Sequence, residues 1–573
     1  MKTFSPTHKV LLCGIAVAAF GIAAMFSADS TSTAQLGSGE LKAGPSDHTM
    51  FGGTISRNMV NPIDKNVPDK IDPDGPATIW KAGLGSRAYG GPIISGGKIF
   101  VGTNNESAEP RNKRDFIKTK DGELEPIDRG VLLCFDEKSG KFLWQAVHPK
   151  LPSGQVNDWP KEGLCSTPNV EGDRVYYVSN RCTVVCADVN GPANKQQGGI
   201  ERKGFSDPTD AKFIWEYDMM KELNVFPHNM SACSPLIVGD IMFVITANGV
   251  DEGHINIPSP EAPSFIALDK KSGKLLWKSN APGKNIMHGQ WSNPAYAEIN
   301  GVKQVIFPGG DGWLYSFVPE TGVPIWKFDC NPKDAVYELG GTGTRSDFIG
   351  TPVVHDNKVY IGVGQDPEHT TGIANFFCIA PTKKGDISKT TISGRDKAGK
   401  PLDEKPNPNS CEVWRYGGAE NGKWAQRDFK FGRTMSSACI VDDIVYIAEL
   451  AGFLHCINAK TGEHYWQFDT KASIWGSAYY VDGKIFLAND QGDLFIFKHE
   501  KTHQVYDEVE AAKNANNMKD ARKLMVDVRK QVADKYLLSK VEFDAPIRST
   551  PVVSNGVLYV MTEKTLYAIK CGK

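Results

Sequence analysis

The sequence predicts an all-β fold, an eight-bladed β-propeller of four-stranded antiparallel blades with one helical insertion. Three observations lead to this prediction. A hairpin that ends in a tryptophan recurs along the chain, a small residue opens each unit, and one spare strand precedes the first unit. A single unit of this kind cannot bury its apolar faces alone, whereas units stacked around an axis share a continuous core.

The second half of the repeated unit is a hairpin with a Ser-Gly or Thr-Gly turn and then a tryptophan, and an Asp or Asn precedes the turn in most copies. Its clearest copies cover residues 134–144, 267–277, 316–326 and 456–466. Alternating apolar residues, a glycine where the turn needs positive φ, and a short second strand are typical of a β-hairpin. We therefore expect the outermost strand of six blades to carry a tryptophan, namely Trp144, Trp215, Trp277, Trp326, Trp414 and Trp466.

The first half of the unit gives the number of blades. Eight segments open with a small residue, and they begin at positions 91, 167, 234, 293, 351, 437, 477 and 550. The last unit, Arg548–Ile569, lacks an outer strand, while Thr78–Lys81 is a spare strand before the first unit. We predict that this N-terminal strand, with Trp80, pairs with the last unit and closes the ring without an open edge.

The chain divides into an N-terminal region and the propeller. Residues 1–34 combine basic residues with an apolar run and small residues, which indicates a cleaved signal peptide or an uncleaved membrane anchor. We expect export to the periplasm or cell envelope, an N-terminal extension over 35–76, and the propeller over 77–573. Within blade seven, residues 501–540 carry apolar residues at helical spacing, which predicts a helix packed on its own propeller or on a partner.

Charge and cysteine placement narrow the function classes. The chain has 65 basic and 67 acidic residues and a formal net charge of -2, so we expect no nucleic-acid partner. Four cysteines occupy one equivalent position of the repeat, where free cysteine packs as a small apolar residue; they are Cys134, Cys186, Cys378 and Cys456. Because no cysteine or histidine spacing is typical of zinc or haem, we predict no metal ligands.

Polar and aromatic residues collect where the innermost strands begin, at the expected mouth of the central channel. The candidate ligand-binding residues are Arg87, His288, Trp291, Arg345, Asp347, Arg433, Trp475 and Arg548. One interpretation is a funnel that holds a small polar or anionic ligand, with Asp347 as a candidate catalytic residue. The alternative is a set of salt bridges that tie blades together, for example Arg345 or Arg433 with Asp347.

The recurring hairpin resembles the quinoprotein-like, or PQQ-repeat, β-propeller family, whose repeat carries an Ala-x-Asp-x-x-Thr-Gly-x-x-x-Trp motif. The resemblance extends over nearly the whole chain from Phe51 onward. It implies either a BamB-type scaffold that binds a protein partner in the cell envelope, or a PQQ-dependent dehydrogenase that oxidises an alcohol or sugar. In the second case PQQ would stack on Trp291 or Trp475, with calcium beside it and Asp347 as the base.

The adjacent cysteines that mark many PQQ-dependent alcohol dehydrogenases are absent from the sequence. We therefore expect a binding or scaffold module and keep PQQ with calcium as the alternative.

Overall fold

The computed structural model describes residues 44–572 apart from these gaps: 108–110, 112–114, 193–199, 201–206, 332–335, 337, 341–345, 365–371, 397–400, 419–428 and 507–514. Within that part, eight sheets follow one another along the chain, each built on four antiparallel strands whose first strand is innermost. This arrangement confirms the predicted eight-bladed propeller.

The first four blades are formed entirely by consecutive segments. Blade 1 contains Ile93–Ser95, Lys98–Asn104, Arg129–Asp136 and Phe142–Pro149, and blade 2 contains Asn169–Glu171, Arg174–Ser179, Thr183–Pro192 and Ala211–Asp218. Blade 3 contains Leu236–Val238, Ile241–Ile245, Phe265–Asp269 and Leu275–Ser279, and blade 4 contains Ala295–Ile299, Val302–Pro308, Trp313–Phe317 and Pro324–Asp329. The outer edge of blade 4 gains the short parallel strand Gly385–Asp386.

The last four blades include the strand that closes the ring. Blade 5 contains Val353–His355, Lys358–Val363, Asn375–Ile379 and Glu412–Gly417, and blade 6 contains Cys439–Val441, Ile444–Ala448, Phe453–Asn458 and His464–Asp469. Blade 7 contains Tyr479–Val481, Lys484–Ala488, Asp493–Lys498 and Leu537–Glu542, and blade 8 contains Val552–Ser554, Val557–Met561, Thr565–Lys570 and Thr78–Gly83. Three small hairpins on the loops pair Phe116–Lys118 with Leu124–Pro126, Thr390–Thr391 with Lys405–Pro406, and Gly394–Arg395 with Pro401–Leu402.

The closure of the ring follows the prediction. Thr78–Gly83 pairs antiparallel with Thr565–Lys570, and this register places Trp80 opposite Ala568. The Trp80 indole N–H donates to the carbonyl of Glu137 in blade 1 at 3.1 Å. The N-terminal strand therefore completes blade 8 and also fastens it to blade 1.

The repeated tryptophan fastens blades 1, 2, 3 and 5 to the blade that follows each of them, whereas Trp326 of blade 4 donates to Gln304 of its own blade. Trp215 of blade 2 donates its indole N–H to the Lys270 carbonyl in the outer turn of blade 3, at 3.1 Å. The turn glycine, Gly273, has φ +70°, and a Cβ there would lie 2.6 Å from the Trp215 ring. Positive φ and close packing both favour glycine, which explains why the motif pairs Gly with Trp. The indole donors of Trp144, Trp277 and Trp414 reach the next blade in the same way.

The four predicted packing cysteines lie directly opposite these tryptophans. Their register partners across the outer strand pair are Trp144, Trp215, Trp414 and Trp466. Ala267 and Ser316 hold the equivalent positions opposite Trp277 and Trp326. All eleven cysteines within the described residues are free thiols and buried. A small side chain is needed at this position because the indole covers it.

Residues 46–64, which we call the plug, form a small ring inside the eight blades. The plug hydrogen-bonds to the innermost part of every blade. From blade 1 to blade 8 the pairs are His48 with Ile94, Thr49 with Val170, Arg57 with Ser234, Ile55 with Tyr296, Ser56 with Val354, Asn58 with Ile440, Met59 with Tyr480, and Asn61 with Val553. Both ends of the plug reach blade 8, because Asn555 N–H donates to Ser46 Oγ at 2.7 Å and Gly556 N–H donates to Asp64 Oδ1 at 2.8 Å.

Arg57 anchors the plug between blades 3 and 4. Its side chain is fully buried, and its guanidinium donates to the carbonyls of Pro294 at 2.9 Å, Phe51 at 2.8 Å, and Ser234 and Pro235 at 3.3 Å. Burial lowers the pKa of Arg57 to about 10, so the side chain remains charged at neutral pH. A buried cation is tolerated only when its donors are satisfied, and here carbonyl oxygens accept them.

Two α-helices lie within the described residues, α1 (Met219–Leu223) and α2 (Met518–Tyr536), with one 3₁₀ turn at Gly283–Asn285. The long helix α2 is the predicted insertion, and it packs on its own propeller rather than projecting away. Its buried face consists of Ala521, Met525, Val528, Val532 and Tyr536. The Tyr536 ring stacks on Trp466 of blade 6 with ring centroids 5.1 Å apart.

The predicted insertion ran to Lys540, but the outer strand of blade 7 already begins at Leu537. That strand carries no tryptophan, so the sequence lacked the marker that located the other outer strands. Among the described residues, no helix is long and apolar enough to span a membrane. Residues 1–34, the predicted signal peptide or anchor, lie outside the described residues.

Candidate functional site

The channel contains a cavity of about 360 Å³, which we call the cup. All eight blades contribute to its wall through the residues that begin their innermost strands, such as Gly90 in blade 1 and Thr351 in blade 5. His48, Phe51 and Met59 of the plug also line it. In every blade except blade 3, the plug contacts the second residue of the innermost strand, past the residues that line the cup, so the plug forms the floor of the cup. The opposite end is the mouth.

Small residues allow the innermost strands to approach one another around the cup. A Cβ at Gly350 would lie 2.7 Å from the Ser436 carbonyl, and one at Gly476 would lie 2.7 Å from the Ser549 carbonyl. Where serine takes this position, its hydroxyl bonds to the next blade, as Ser436 Oγ does to the Gly476 carbonyl at 2.6 Å. Because these backbone atoms pack closely around the axis, larger side chains line the cup only at its mouth and on its floor.

An arginine and two aromatic rings form one wall of the cup. The Arg548 guanidinium carbon lies 4.6 Å from the Trp475 ring centroid and 5.4 Å from that of Tyr89. Arg548 Nη1 also donates to the Tyr89 hydroxyl at 2.9 Å. The two rings are 5.8 Å apart. The guanidinium is therefore held in a fixed orientation by cation–π contacts and one hydrogen bond.

Carboxylates balance the charge at this wall. Glu563 Oε1 lies 2.8 Å from Arg87 Nη1 and 3.3 Å from Arg548 Nε, so one buried carboxylate serves two arginines. The hydrogen bond to Glu563 raises the pKa of Arg87 above its ordinary value. Burial, followed by the nearby Glu162, raises the pKa of Tyr89, so its hydroxyl stays protonated. The Arg87–Glu563 pair joins blade 1 to blade 8, as the salt-bridge interpretation of the mouth expects.

Apart from Arg548 Nε, which lies 3.3 Å from Glu563 Oε1, two polar atoms of the lining are buried without a hydrogen-bond partner among the described residues. They are the indole nitrogen Nε1 of Trp475, a donor, and the carboxylate oxygen Oε2 of Glu162, an acceptor. Buried polar groups in folded proteins are nearly always satisfied, by protein, water or ligand. The cup therefore offers one donor and one acceptor that a bound molecule can use.

The predicted site residues do not all meet in the cup. Trp291, Trp475 and Arg548 line it, and Arg87 stands behind Arg548 through the shared Glu563. Asp347 and Arg433 are not among the lining residues. The backbone of Asp347 bridges to Gly364 of blade 5, and its side chain is buried. Arg345 lies outside the described residues, so its predicted pairing with Asp347 stays a prediction.

His288 belongs to a second constellation next to the cup. Its Nε2 lies 3.1 Å from His254 Nε2, which in turn lies 3.0 Å from His228 Nε2. The three ligand atoms all lie within 4.8 Å of one another. His288 and His228 are buried, and both rings contact the Trp291 indole, with centroids 5.0 and 6.1 Å away. Trp291 thus has the cup on one side and the histidines on the other.

Sequence reasoning missed His254, Trp159 and the plug residues as parts of the site. His254 lies on the loop between the second and third strands of blade 3, with no fixed spacing to His228 or His288. Trp159 lies in the connection between blades 1 and 2 and lines the cup. The only available signal was topological, because loops of this class lie on the same face as the connections between blades.

The fold defines a PQQ-repeat-type β-propeller with a cavity on its axis. A family model described as outer membrane protein assembly factor BamB matches residues 128–397 and 407–537. The chain belongs to this family.

The solved structures similar to this chain include both dehydrogenases and a BamB. The quinohemoprotein alcohol dehydrogenase from Comamonas testosteroni is 11% identical with a TM-score of 0.53, covering 92% of this chain and 80% of that chain. ADHIIG from Pseudomonas putida HK5 is 12% identical with a TM-score of 0.52 and the same coverages. BamB from Moraxella catarrhalis is 14% identical with a TM-score of 0.41, covering 77% and 88%. At these identities the likeness concerns the fold alone. A search of curated proteins found no match.

Proposed function

We propose that this protein is an exported binding module whose cup takes a small, flat, largely apolar ligand with an anionic or acceptor group at one edge. The observation that carries the proposal is the wall of Arg548 between Trp475 and Tyr89, with the Trp475 N–H left without a hydrogen-bond partner among the described residues. A cation and a free N–H side by side favour a carboxylate or carbonyl.

The rest of the cup supports a flat ligand. Trp159 and Trp291 line it together with Tyr89 and Trp475, and aromatic faces bind flat rings by stacking. The volume of about 360 Å³ is within the range of small-molecule pockets. Glu162 adds an acceptor on the wall, so a ligand with a donor at its other edge would satisfy both unpaired atoms.

The residues of the cup do not fit a quinone with calcium, so the dehydrogenase alternative has less support. Glu162 is the one carboxylate among the described lining residues, whereas a hard cation such as calcium takes several oxygen ligands. The Asn293 amide is already used, since it accepts from Ser234 N–H and donates to Thr351 Oγ1. Asp347, the candidate base, is not among the cup residues.

A location in the cell envelope and a protein partner there form part of the proposal. The family description names outer membrane protein assembly, which supports both. The test of location is a fusion of residues 1–43 to a reporter enzyme that folds only outside the cytoplasm. An inactive reporter would contradict export. The test of partnership is co-purification from envelope extracts with and without saturating 2-naphthoate, and no stable partner in either case would contradict it.

Ligand binding is tested by calorimetric titration of the purified chain with 2-naphthoate, 2-naphthamide and 2-naphthylmethylamine. These probes share one flat ring and differ in charge. We expect the carboxylate to bind best and the amine worst. Arg548→Gln should weaken naphthoate binding by about 10- to 100-fold, because hydrogen bonds to charged groups contribute about 1.5–3 kcal/mol. Trp475→Phe keeps an aromatic face, although a smaller one, removes the N–H donor and should cost about 10-fold or less.

Trp313→Phe is the matched control, because Trp313 lies on the third strand of blade 4 and is not a lining residue of the cup. Equal affinity for all three probes, or equal losses in the Trp475 and Trp313 variants, would contradict the proposed cup. A parallel titration with PQQ and calcium, followed by dye reduction with an alcohol or sugar, examines the alternative. Turnover in that assay would contradict the proposed binding module and support the dehydrogenase alternative.

A further inference from the structure

Beyond the cup, we propose that His228, His254 and His288 form a binding site for a divalent transition-metal ion, with Zn²⁺ as the expected ion. The three residues come from three separate segments at the mouth. His228 lies in the connection between blades 2 and 3, His254 in a loop of blade 3, and His288 in the connection between blades 3 and 4. Convergence of three imidazoles from distant segments requires the folded propeller.

The distances between the imidazole nitrogens suit a metal. In a tetrahedral site with metal–nitrogen bonds of about 2.0–2.1 Å, two ligand nitrogens lie about 3.3 Å apart. The two recorded Nε2–Nε2 separations, both centred on His254, are 3.0 and 3.1 Å. An ion would therefore be seated by an outward movement of a few tenths of an ångström for these two pairs, and by movement to the same spacing for the third pair, which lies within 4.8 Å. Sets of imidazole ligands suit zinc, copper, iron and nickel rather than calcium or magnesium.

A hydrogen bond at Nδ1 of His228 fixes which nitrogen of this ring carries the proton and which one faces the other two histidines. Its Nδ1 lies 2.9 Å from the Val250 carbonyl oxygen, which can only accept, so the proton is on Nδ1. In the neutral ring Nε2 then carries a lone pair directed at the other two histidines. A backbone carbonyl that binds the second ring nitrogen is the usual support for a metal-bound histidine.

Hydrogen bonds among the three histidines explain the positions of their Nε2 atoms less well than a bound ion does. His254 Nε2 faces both His228 Nε2 and His288 Nε2. If His254 Nε2 carries a proton, that single N–H must divide between two acceptors. If it carries none, it meets the lone pair of His228. An ion in the centre uses all three lone pairs at once.

The backbone around His254 is held in an unfavourable conformation that brings its ring to the other two. His254 has φ +56°, in the left-handed region that non-glycine residues rarely occupy. Asp251 stabilises this turn, since its carboxylate accepts from the N–H groups of Ile255 and Asn256 and from the Asn256 amide. Strain of this kind persists where the surrounding structure maintains it, and it concentrates at functional sites.

Burial and the neighbouring indole keep the site rigid and accessible from one side. His228 and His288 are 1% and 3% exposed, whereas His254 is only half-buried. The Trp291 N–H donates to the His228 carbonyl at 3.1 Å and to the Met230 carbonyl at 3.2 Å. An ion therefore enters from the His254 side, and Trp291 connects the metal site to the wall of the cup.

The test uses the untagged full chain, stripped of metal with EDTA, freed of the chelator and then loaded with an excess of Zn²⁺. We expect one zinc ion per chain to remain bound through gel filtration, measured by elemental analysis. Titration with Co²⁺ should give the visible d–d bands of a four- or five-coordinate nitrogen site, and Zn²⁺ should displace them. His254→Gln should weaken zinc binding by at least about 10- to 100-fold, the loss that removal of an orienting group alone causes. His254 lies on a loop, so this variant should fold.

His355→Gln is the matched control, because His355 is also partly buried but lies at the end of an innermost strand in blade 5. Thermal unfolding without metal verifies that all variants fold. His288→Gln is a second variant that lacks one of the three proposed metal ligands. Added Zn²⁺ should raise the melting temperature of the wild type and of His355→Gln only. A cobalt spectrum or zinc content that is the same in the wild type and in His254→Gln would overturn the proposal.

Discussion

Replacement of Arg57 with methionine tests whether one buried cation holds the plug in the ring. Methionine keeps an unbranched side chain of similar length and removes the guanidinium donors. Four carbonyl oxygens, those of Phe51, Ser234, Pro235 and Pro294, would lose the donor they share. Because Arg57 is fully buried, water cannot replace those donors without opening the structure.

The size of the effect follows from two opposing terms. Bonds from a charged donor contribute about 1.5–3 kcal/mol each, so the two short bonds to Phe51 and Pro294 together contribute roughly 6 kcal/mol at most. Burial of the charge costs about 3 kcal/mol, since it lowers the pKa of Arg57 from 12.5 to about 10. The methionine variant avoids that cost. We expect a net loss of up to about 3 kcal/mol in the free energy of unfolding.

Two measurements check the Arg57→Met prediction. Urea unfolding should show a lower midpoint than in the wild type, and hydrogen exchange read by mass spectrometry should show faster exchange in residues 46–64. Arg522→Met is the control, because Arg522 is exposed on α2. If the midpoint and the exchange of residues 46–64 match those of the control, backbone bonds alone hold the plug and the reasoning is refuted.

Three further predictions concern stability and thiol reactivity. Gly273→Ala should destabilise the protein by about 1–3 kcal/mol more than Gly172→Ala in urea unfolding, since both glycines have positive φ but only a Cβ at 273 overpacks against a tryptophan. Equal losses would contradict the packing argument. Burial lowers the pKa of His48 from 6.5 to about 4, so the unfolded chain binds more protons between these values. The contribution of His48 to the free energy of unfolding is complete above pH 6.5 and falls by about 3 kcal/mol towards pH 4. Urea unfolding at a series of pH values should show this fall in the wild type and a smaller one in His48→Phe. All eleven described cysteines are buried, and burial raises the pKa of Cys182 to about 12, so a thiol reagent should label none of them before unfolding, as peptide mass spectrometry would verify.

The eight-bladed ring could be predicted from the sequence because the residues that mark each blade lie close together in the chain. Each blade carries its own hairpin, every blade except blade 7 has a tryptophan on its outer strand, and the count of starts and ends required Trp80 to complete blade 8. The boundary of the helical insertion was predicted less well, since the strand at Leu537 has no tryptophan to mark it. Where the local marker is missing, the apolar pattern alone does not separate the end of a helix from the start of a strand.

The candidate site was predictable only in part. The position of Trp475 and Arg548 at the mouth follows from the repeat, so sequence reasoning found both. The attachment of Arg548 to Glu563, and the position of Asp347 outside the cup, depend on how neighbouring blades face one another. The convergence of His254 with His228 and His288 depends on the path of a loop, for which no spacing rule exists.

Because of the plug, residues near the start of the propeller are synthesised early but reach their final contacts only after blade 8 has been made. Ser46 is made early, yet its partner Asn555 lies 509 residues further along the chain. Contacts of such separation form only after the intervening chain is ordered. An unfinished chain that lacks blade 8 therefore has neither a partner for Thr78–Gly83 nor an attachment for the two ends of the plug. The floor of the cup is fastened at both ends, and the Arg548 wall is present, only when blade 8 has formed, so binding in the cup reports that the whole ring has been assembled.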